Sequence, residues 1–184
     1  MMKKVLLLCI ILSISKLSYG LSDYEIVLIH ETIDMPDRKF YIESVVDNRV
    51  DKKSIGTVKI GMFNKKYAAQ LENGFSNALQ DYFDYTLLKK DGQIPIILKI
   101  NKLMVSETTK ASSEFGFADI SLEFYHGNNL LFSSNQHIEV SGFDVTRLHE
   151  ENIRGVIKKS LIAFPNWACK NCQDRRNFCT NPVS

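Results

Sequence analysis

After its first twenty residues the chain has no second long apolar run, and those twenty residues contain no acidic side chain. The first absence excludes a later membrane-crossing helix, which needs about 20 consecutive apolar residues. Charge of one sign is also missing. The whole chain carries 23 Lys and Arg against 21 Asp and Glu. Lys3, Lys4 and Lys16 all lie in the first twenty residues, so without them the balance becomes 20 against 21, a net of −1. That leaves no bulk electrostatic case for nucleic acid or an anionic membrane. Catalytic signatures are absent too: no serine nucleophile elbow and no glycine loop for phosphate. The acids Asp34, Asp37, Glu43 and Asp47 are close in sequence, but no spacing pairs two of them for acid–base work. His30, His126, His137 and His149 show no His-x-His or His-x-x-x-His spacing and read as ordinary surface or strand residues. The expectation is a protein without cofactor, metal site or catalytic residues.

What is present begins with a leader. Met1-Met2-Lys3-Lys4 is a positive start, Val5–Ile14 is apolar apart from Ser13, and Ser18 and Gly20 supply small residues for cleavage before Leu21. This is the order of a secretory signal peptide. Its apolar core, about ten residues, is too short to span a bilayer. Cys9 sits early in the apolar run rather than at its end, so it is a hydrophobic leader residue and not a lipidation site. The reading is therefore 1–20 signal peptide, 21–165 one domain and 166–184 a cysteine-bearing tail. The protein is expected to be exported, periplasmic or secreted, with no transmembrane segment after cleavage and no nucleic-acid partner.

Between leader and tail the pattern alternates between two periods. Tyr24–His30, Phe40–Val46 and Ile55–Ile60 read as strands, the last of them short. Tyr67, Ala68, Leu71, Phe75, Ala78, Leu79, Tyr82 and Phe83 recur at three- and four-residue spacing, which predicts a helix from about Asn64 with Gly74 inside it. Ile94–Ser106, Phe115–Tyr125 and Leu130–Val140 follow as an antiparallel meander, with Gly127-Asn128-Asn129 as a tight hairpin. Asp144 reads as an N-cap for a second helix, Val145–Phe164, stopped by Pro165. The predicted fold is α+β: an antiparallel sheet of about five to six strands with two amphipathic helices on one face.

Cys169, Cys172 and Cys179 are the disulfide candidates. In an oxidising compartment three cysteines give one bridge and one remaining thiol, which could form an intermolecular disulfide. Cys179 paired with Cys169 or Cys172 would staple the tail. A redox use of Cys169-Lys170-Asn171-Cys172 would need the pair at a helix start, whereas here it follows a helix. A structural zinc site would need a fourth ligand. Trp167 reads as a cap on the core edge. Asp47 and Arg49, two apart on an extended segment, point to one side and could brace the following loop. The alternative is two solvent-facing charges.

Val45-Val46-Asp47-Asn48-Arg49, then Ser54-Ile55-Gly56, then a helix and a meander, resemble the auxiliary lipoproteins of ABC transporters and related outer-membrane lipoproteins. Those proteins show a Val-x-Asp-x-Arg … Ile-Gly pattern before the first long helix. The resemblance implies an accessory, binding role in the bacterial cell envelope and no catalytic residues. The chain departs from that family in lacking a lipidation cysteine and in carrying the cysteine tail. The leading expectation is an accessory protein that docks on an envelope complex through the loops Asp47–Ser54 and Thr108–Ser113 or a free sheet edge. The alternatives are a carrier of a small apolar ligand and a thiol-based redox enzyme.

Overall fold

The computed structural model describes residues 23–36, 38–110 and 112–170. The leader at 1–20 therefore lies outside the described residues, as do Cys172 and Cys179. Cys169 and Trp167 fall within a helical backbone whose side chains are not described beyond Pro165.

The class is α+β, with seven strands in two sheets. β1 (Tyr24–Ile26), β4 (Lys65–Leu71) and β3 (Thr57–Ile60) form one sheet in that order. β2 (Phe40–Asp47), β5 (Ile94–Thr109), β6 (Glu114–His126) and β7 (Asn129–Gly142) form the other. The meander β5–β6–β7 is antiparallel, while β1–β4 and β2–β5 are parallel, so both sheets are mixed. Alternation sets the faces of the meander. Ala118, Ile120, Leu122 and Phe124 of β6 are buried, and the residues between them face outward. Gly127 takes the φ of 56° that the β6–β7 turn requires.

Helix α1 (Phe75–Thr86) packs on β2, and α2 (His149–Lys170) packs on β6 and β7. Leu79, Tyr82 and Phe83 of α1 join Ile153, Val156, Ile157, Leu161 and Phe164 of α2 in one core. Each such burial contributes about 1.5–3 kcal/mol. Phe164 stacks on Phe124 with ring centroids 4.5 Å apart and meets Phe40 edge-on at 5.1 Å.

Three boundaries differ from the sequence reading. The helix expected from Asn64 is two elements: Lys65–Leu71 is strand β4, and α1 starts only at Phe75. Asn73 and Gly74 both have positive φ, 63° and 86°, which turns the chain between them. Tyr67, Ala69 and Leu71 supply the two-residue period that the helical spacing overlay had masked. At the other end, Pro165 does not stop α2, which continues to Lys170 with the proline inside it. Tyr24–His30 also shortens, to the three residues of β1.

Candidate functional site

The segment after β2 is built around Asp47 and Arg49. Arg49 donates from Nε to Asp47 Oδ1 at 2.9 Å and from Nη2 to Asp47 Oδ2 at 3.0 Å. Its backbone N–H adds a third bond to Oδ1 at 3.1 Å. Nη1 donates to the Ser54 carbonyl at 2.9 Å, and the guanidinium lies over the Phe75 ring, 3.6 Å from its centroid. Burial pushes the Asp47 carboxyl up. The Arg49 hydrogen bonds and the charges of Arg49 and Lys52 outweigh that and hold it below its ordinary value.

The bent loop delivers Ile55 and Gly56 between the sheets. Ile55 N donates to Ala69 O of β4, Ala69 N returns a bond to Gly56 O, and Val105 N of β5 donates to Ile55 O at 2.7 Å. Gln70 Nε2 also donates to the Lys53 carbonyl. The Val-x-Asp-x-Arg … Ile-Gly residues thus form a latch that stitches the two sheets together. The ends of the Asp47–Ser54 loop are committed to this latch, while Val50 to Lys53 stay exposed. Arg49→Lys should lower stability by about 1–3 kcal/mol, because an ammonium cannot form the two-pronged pair and stack on Phe75 together. A urea denaturation curve measures it, and an unchanged midpoint would show the pair to be ornamental.

A second polar cluster lies where β5 meets the start of α2. His149 Nε2 and Glu107 Oε1 are 2.9 Å apart, with the side chains 0% and 1% exposed. Thr146 Oγ1 lies 2.9 Å from Glu107 Oε1 and 3.0 Å from Lys59 O, and Lys59 N donates to Glu107 Oε2 at 2.8 Å. Burial raises the affinity of Glu107 for its proton. The bonds from His149, Thr146 and the Lys59 backbone reverse this and hold the carboxyl below its usual range. His149 is therefore a buried, carboxylate-paired residue, which corrects its reading as a surface histidine. The buried Nδ1 of His149 and Nδ2 of Asn152 have no hydrogen-bond partner among the described residues. The arrangement is a clamp between α2 and β5. The Thr146 hydroxyl faces Glu107 and the Lys59 carbonyl rather than the imidazole, and the cluster is sealed from solvent.

The sequence held a signal for this clamp. Glu107 continues the inward alternation of Leu103 and Val105, and His149 stands four residues before Ile153 on the apolar stripe of α2. The other three histidines are exposed. His30 stacks on Tyr85, His126 meets the Pro95 carbonyl, and His137 pairs with Asp119 at 3.0 Å. Among the described residues no three His, Cys, Asp or Glu side chains gather as a metal-binding group.

Above the clamp, one end of the molecule carries an open cleft of about 370 Å³, lined by Tyr24, Lys59, Gly61, Glu114, Phe143 and Thr146 among others. The β3–β4 turn forms one wall. The β5–β6 turn, which contains most of the loop Thr108–Ser113, reaches the same end, since Lys59 Nζ bonds Thr109 Oγ1 at 3.2 Å. The long edge strand β7 runs from the Gly127 turn to this end, where Gly142 pairs with Glu114 and Phe143 follows into the cleft.

No family model matches the chain, and neither does any curated protein. Among solved structures, it is similar to protein XCC0632 from Xanthomonas campestris, of family DUF330, at 7% identity and a TM-score of 0.47. The match covers 83% of this chain and 97% of that one.

Proposed function

We propose that the protein is an exported, non-enzymatic accessory protein of the bacterial cell envelope that docks on a protein complex. On this reading it plays a part like that of the transporter auxiliary lipoproteins its Asp47–Arg49 segment resembles. The observation that carries the proposal is β7. It is 14 residues long and lies at the edge of its sheet. Glu139 is its only acidic residue, and it contains neither Lys, Arg nor Pro. Natural edge strands are usually blunted by such residues or by shortness, because an open ladder recruits another strand. Each edge of the sheet has a backbone group met by a helix side chain: Gln80 Oε1 accepts the Val45 N–H of β2 at 2.9 Å, and Lys159 Nζ donates to the His137 carbonyl of β7.

Antiparallel pairing alternates its hydrogen bonds, so every second residue of β7 aims its backbone away from β6. His137 is one of these, and its carbonyl accepts a bond from Lys159 Nζ at 3.2 Å. Glu139, two residues on, shares that direction. An extended partner segment would add a fifth strand there. Glu139→Pro removes one outward N–H while leaving the β6 ladder intact. A photo-cross-linker at Asn135 in intact cells should capture a protein partner, and Glu139→Pro should abolish that capture without lowering the melting temperature by more than a few degrees. Capture unaffected by the proline, or no capture from Asn135 at all, would refute the docking edge.

A further inference from the structure

The β3–β4 hairpin ends in an unusual turn. Gly61-Met62-Phe63-Asn64 closes with Asn64 N donating to Gly61 O at 3.0 Å. Turns of this kind favour small polar residues, yet the two residues in the middle are Met and Phe. Both are 92% exposed. Phe143, which lines the same cleft as Gly61 and Asn64, is 95% exposed. Three large apolar side chains therefore stand at one end of the molecule, each at least 92% exposed, where of the other exposed apolar residues only Val50 is as open. Scattered single apolar residues on a surface need no explanation, but a grouped set does.

Charge surrounds them in a definite pattern. From Thr57 to Leu71 the hairpin carries Lys59, Lys65 and Lys66 and no acidic residue. Lys110, in the β5–β6 turn at the same end, and Arg147 beside the cleft extend the basic ring. Asp144 and Arg147 pair with each other; Glu114, whose Oε2 accepts the Val145 N–H, and the buried Glu107 keep their charge, and Lys59, Lys65, Lys66 and Lys110 outnumber them. A near-neutral protein thus presents one locally basic end with an apolar point at its centre.

We infer that this end is a membrane-contacting surface for an anionic lipid bilayer, with Met62 and Phe63 entering the acyl region and the lysines meeting lipid phosphates. The shape favours a bilayer over a protein. The turn is a convex point, and a fluid medium accepts a point without needing a complementary pocket. Lysines placed just behind the apolar tip can lay their stems along it while their ammonium groups stay at the headgroup level. Each lysine near an anionic leaflet adds a salt-sensitive attraction. The Met62–Phe63 tip stands on a different element from the Asn135–Glu139 stretch of β7, so either can fail without the other.

The test is co-sedimentation of the purified protein with vesicles of phosphatidylcholine alone and of phosphatidylcholine mixed with phosphatidylglycerol. The wild type should bind the phosphatidylglycerol vesicles and lose that binding as salt is raised. Met62→Ser with Phe63→Ser should weaken partitioning at least about tenfold, the scale of losing two buried apolar side chains. Lys65→Gln with Lys66→Gln should weaken binding to the anionic vesicles and flatten its salt dependence. Both pairs are exposed, so unchanged melting curves will show that the fold survives. Equal binding by wild type and the double serine variant overturns the inference, as does binding to neither vesicle. A cross-linker at Phe63 that captures only protein in intact cells would assign the tip to a protein partner instead and overturn it equally.

Discussion

Gly56→Ala should lower the unfolding free energy by about 3–5 kcal/mol, a large fraction of the stability of a domain this size. Two independent facts set the magnitude. Gly56 has a φ of +123°, a region that side-chain-bearing residues rarely enter and that costs about 1–3 kcal/mol where they are forced into it. A methyl group there would also lie 1.9 Å from the Val105 carbonyl oxygen. That neighbour is backbone in the middle of β5 and cannot rotate away. Relief requires Gly56 to withdraw from Val105, which breaks the bonds of Ile55 to both Ala69 and Val105. Chemical denaturation followed by circular dichroism measures the change. By contrast, Gly61→Ala meets no atom within 4 Å and should cost only its positive φ. A Gly56→Ala loss no larger than that of Gly61→Ala would mean that the sheets are not stitched at this point.

His149→Leu should cost a comparable amount, about 3–5 kcal/mol, because it leaves the Glu107 carboxylate buried without its hydrogen-bond partner on α2. Adding Glu107→Gln should recover much of that loss, since a neutral amide can still accept the Lys59 N–H without carrying charge. Failure of the second substitution to restore stability would show that volume rather than charge decides the effect. Acid provides an orthogonal check. Glu107 and Asp47 are both held below their ordinary values in the folded protein. A carboxylate of this kind stabilises the fold at pH values above its unfolded pKa, about 4. The contribution fades as pH falls through the lower folded value. Thermal stability of the wild type should therefore decline below about pH 4, and Glu107→Gln should flatten part of that decline.

Where side chains alternated over long strands, the sequence was a good guide: β6 and β7 lie within a residue or two of their expected bounds, and the α+β class with them. It misled where two periods overlapped. Tyr67, Leu71 and Phe75 satisfy a helical stripe, yet Leu71 ends a strand and Phe75 opens a helix, because Asn73 and Gly74 reverse the chain between them. Parallel pairing of β2 with β5 was not legible, since a strand pattern records which face is buried and not which neighbour lies beside it. The short-range relation of Asp47 to Arg49 was within reach of a two-residue argument. Of the partners that give it meaning, Ser54 is five residues away, while Phe75, Ala69 of β4 and Val105 of β5 come from distant parts of the chain. The exposed Met62 and Phe63 were hidden for the opposite reason: apolar letters in a sequence read as core until the fold shows that nothing covers them.

A single 3-10 turn, Thr146–Leu148, leads from the cleft into helix α2, which carries Phe164 to the far end of the sheet, against Phe124 and Phe132 next to the Gly127 turn. At about 1.5 Å per residue, its 22 residues make a strut of roughly 33 Å. Cys169 is in the last turn of that strut, so its backbone sits about 30 Å along the axis from His149. A probe at the start of α2 and another near Cys169 would mark the two ends of that axis, and the difference between their depths would read out how upright the protein stands on any surface it meets.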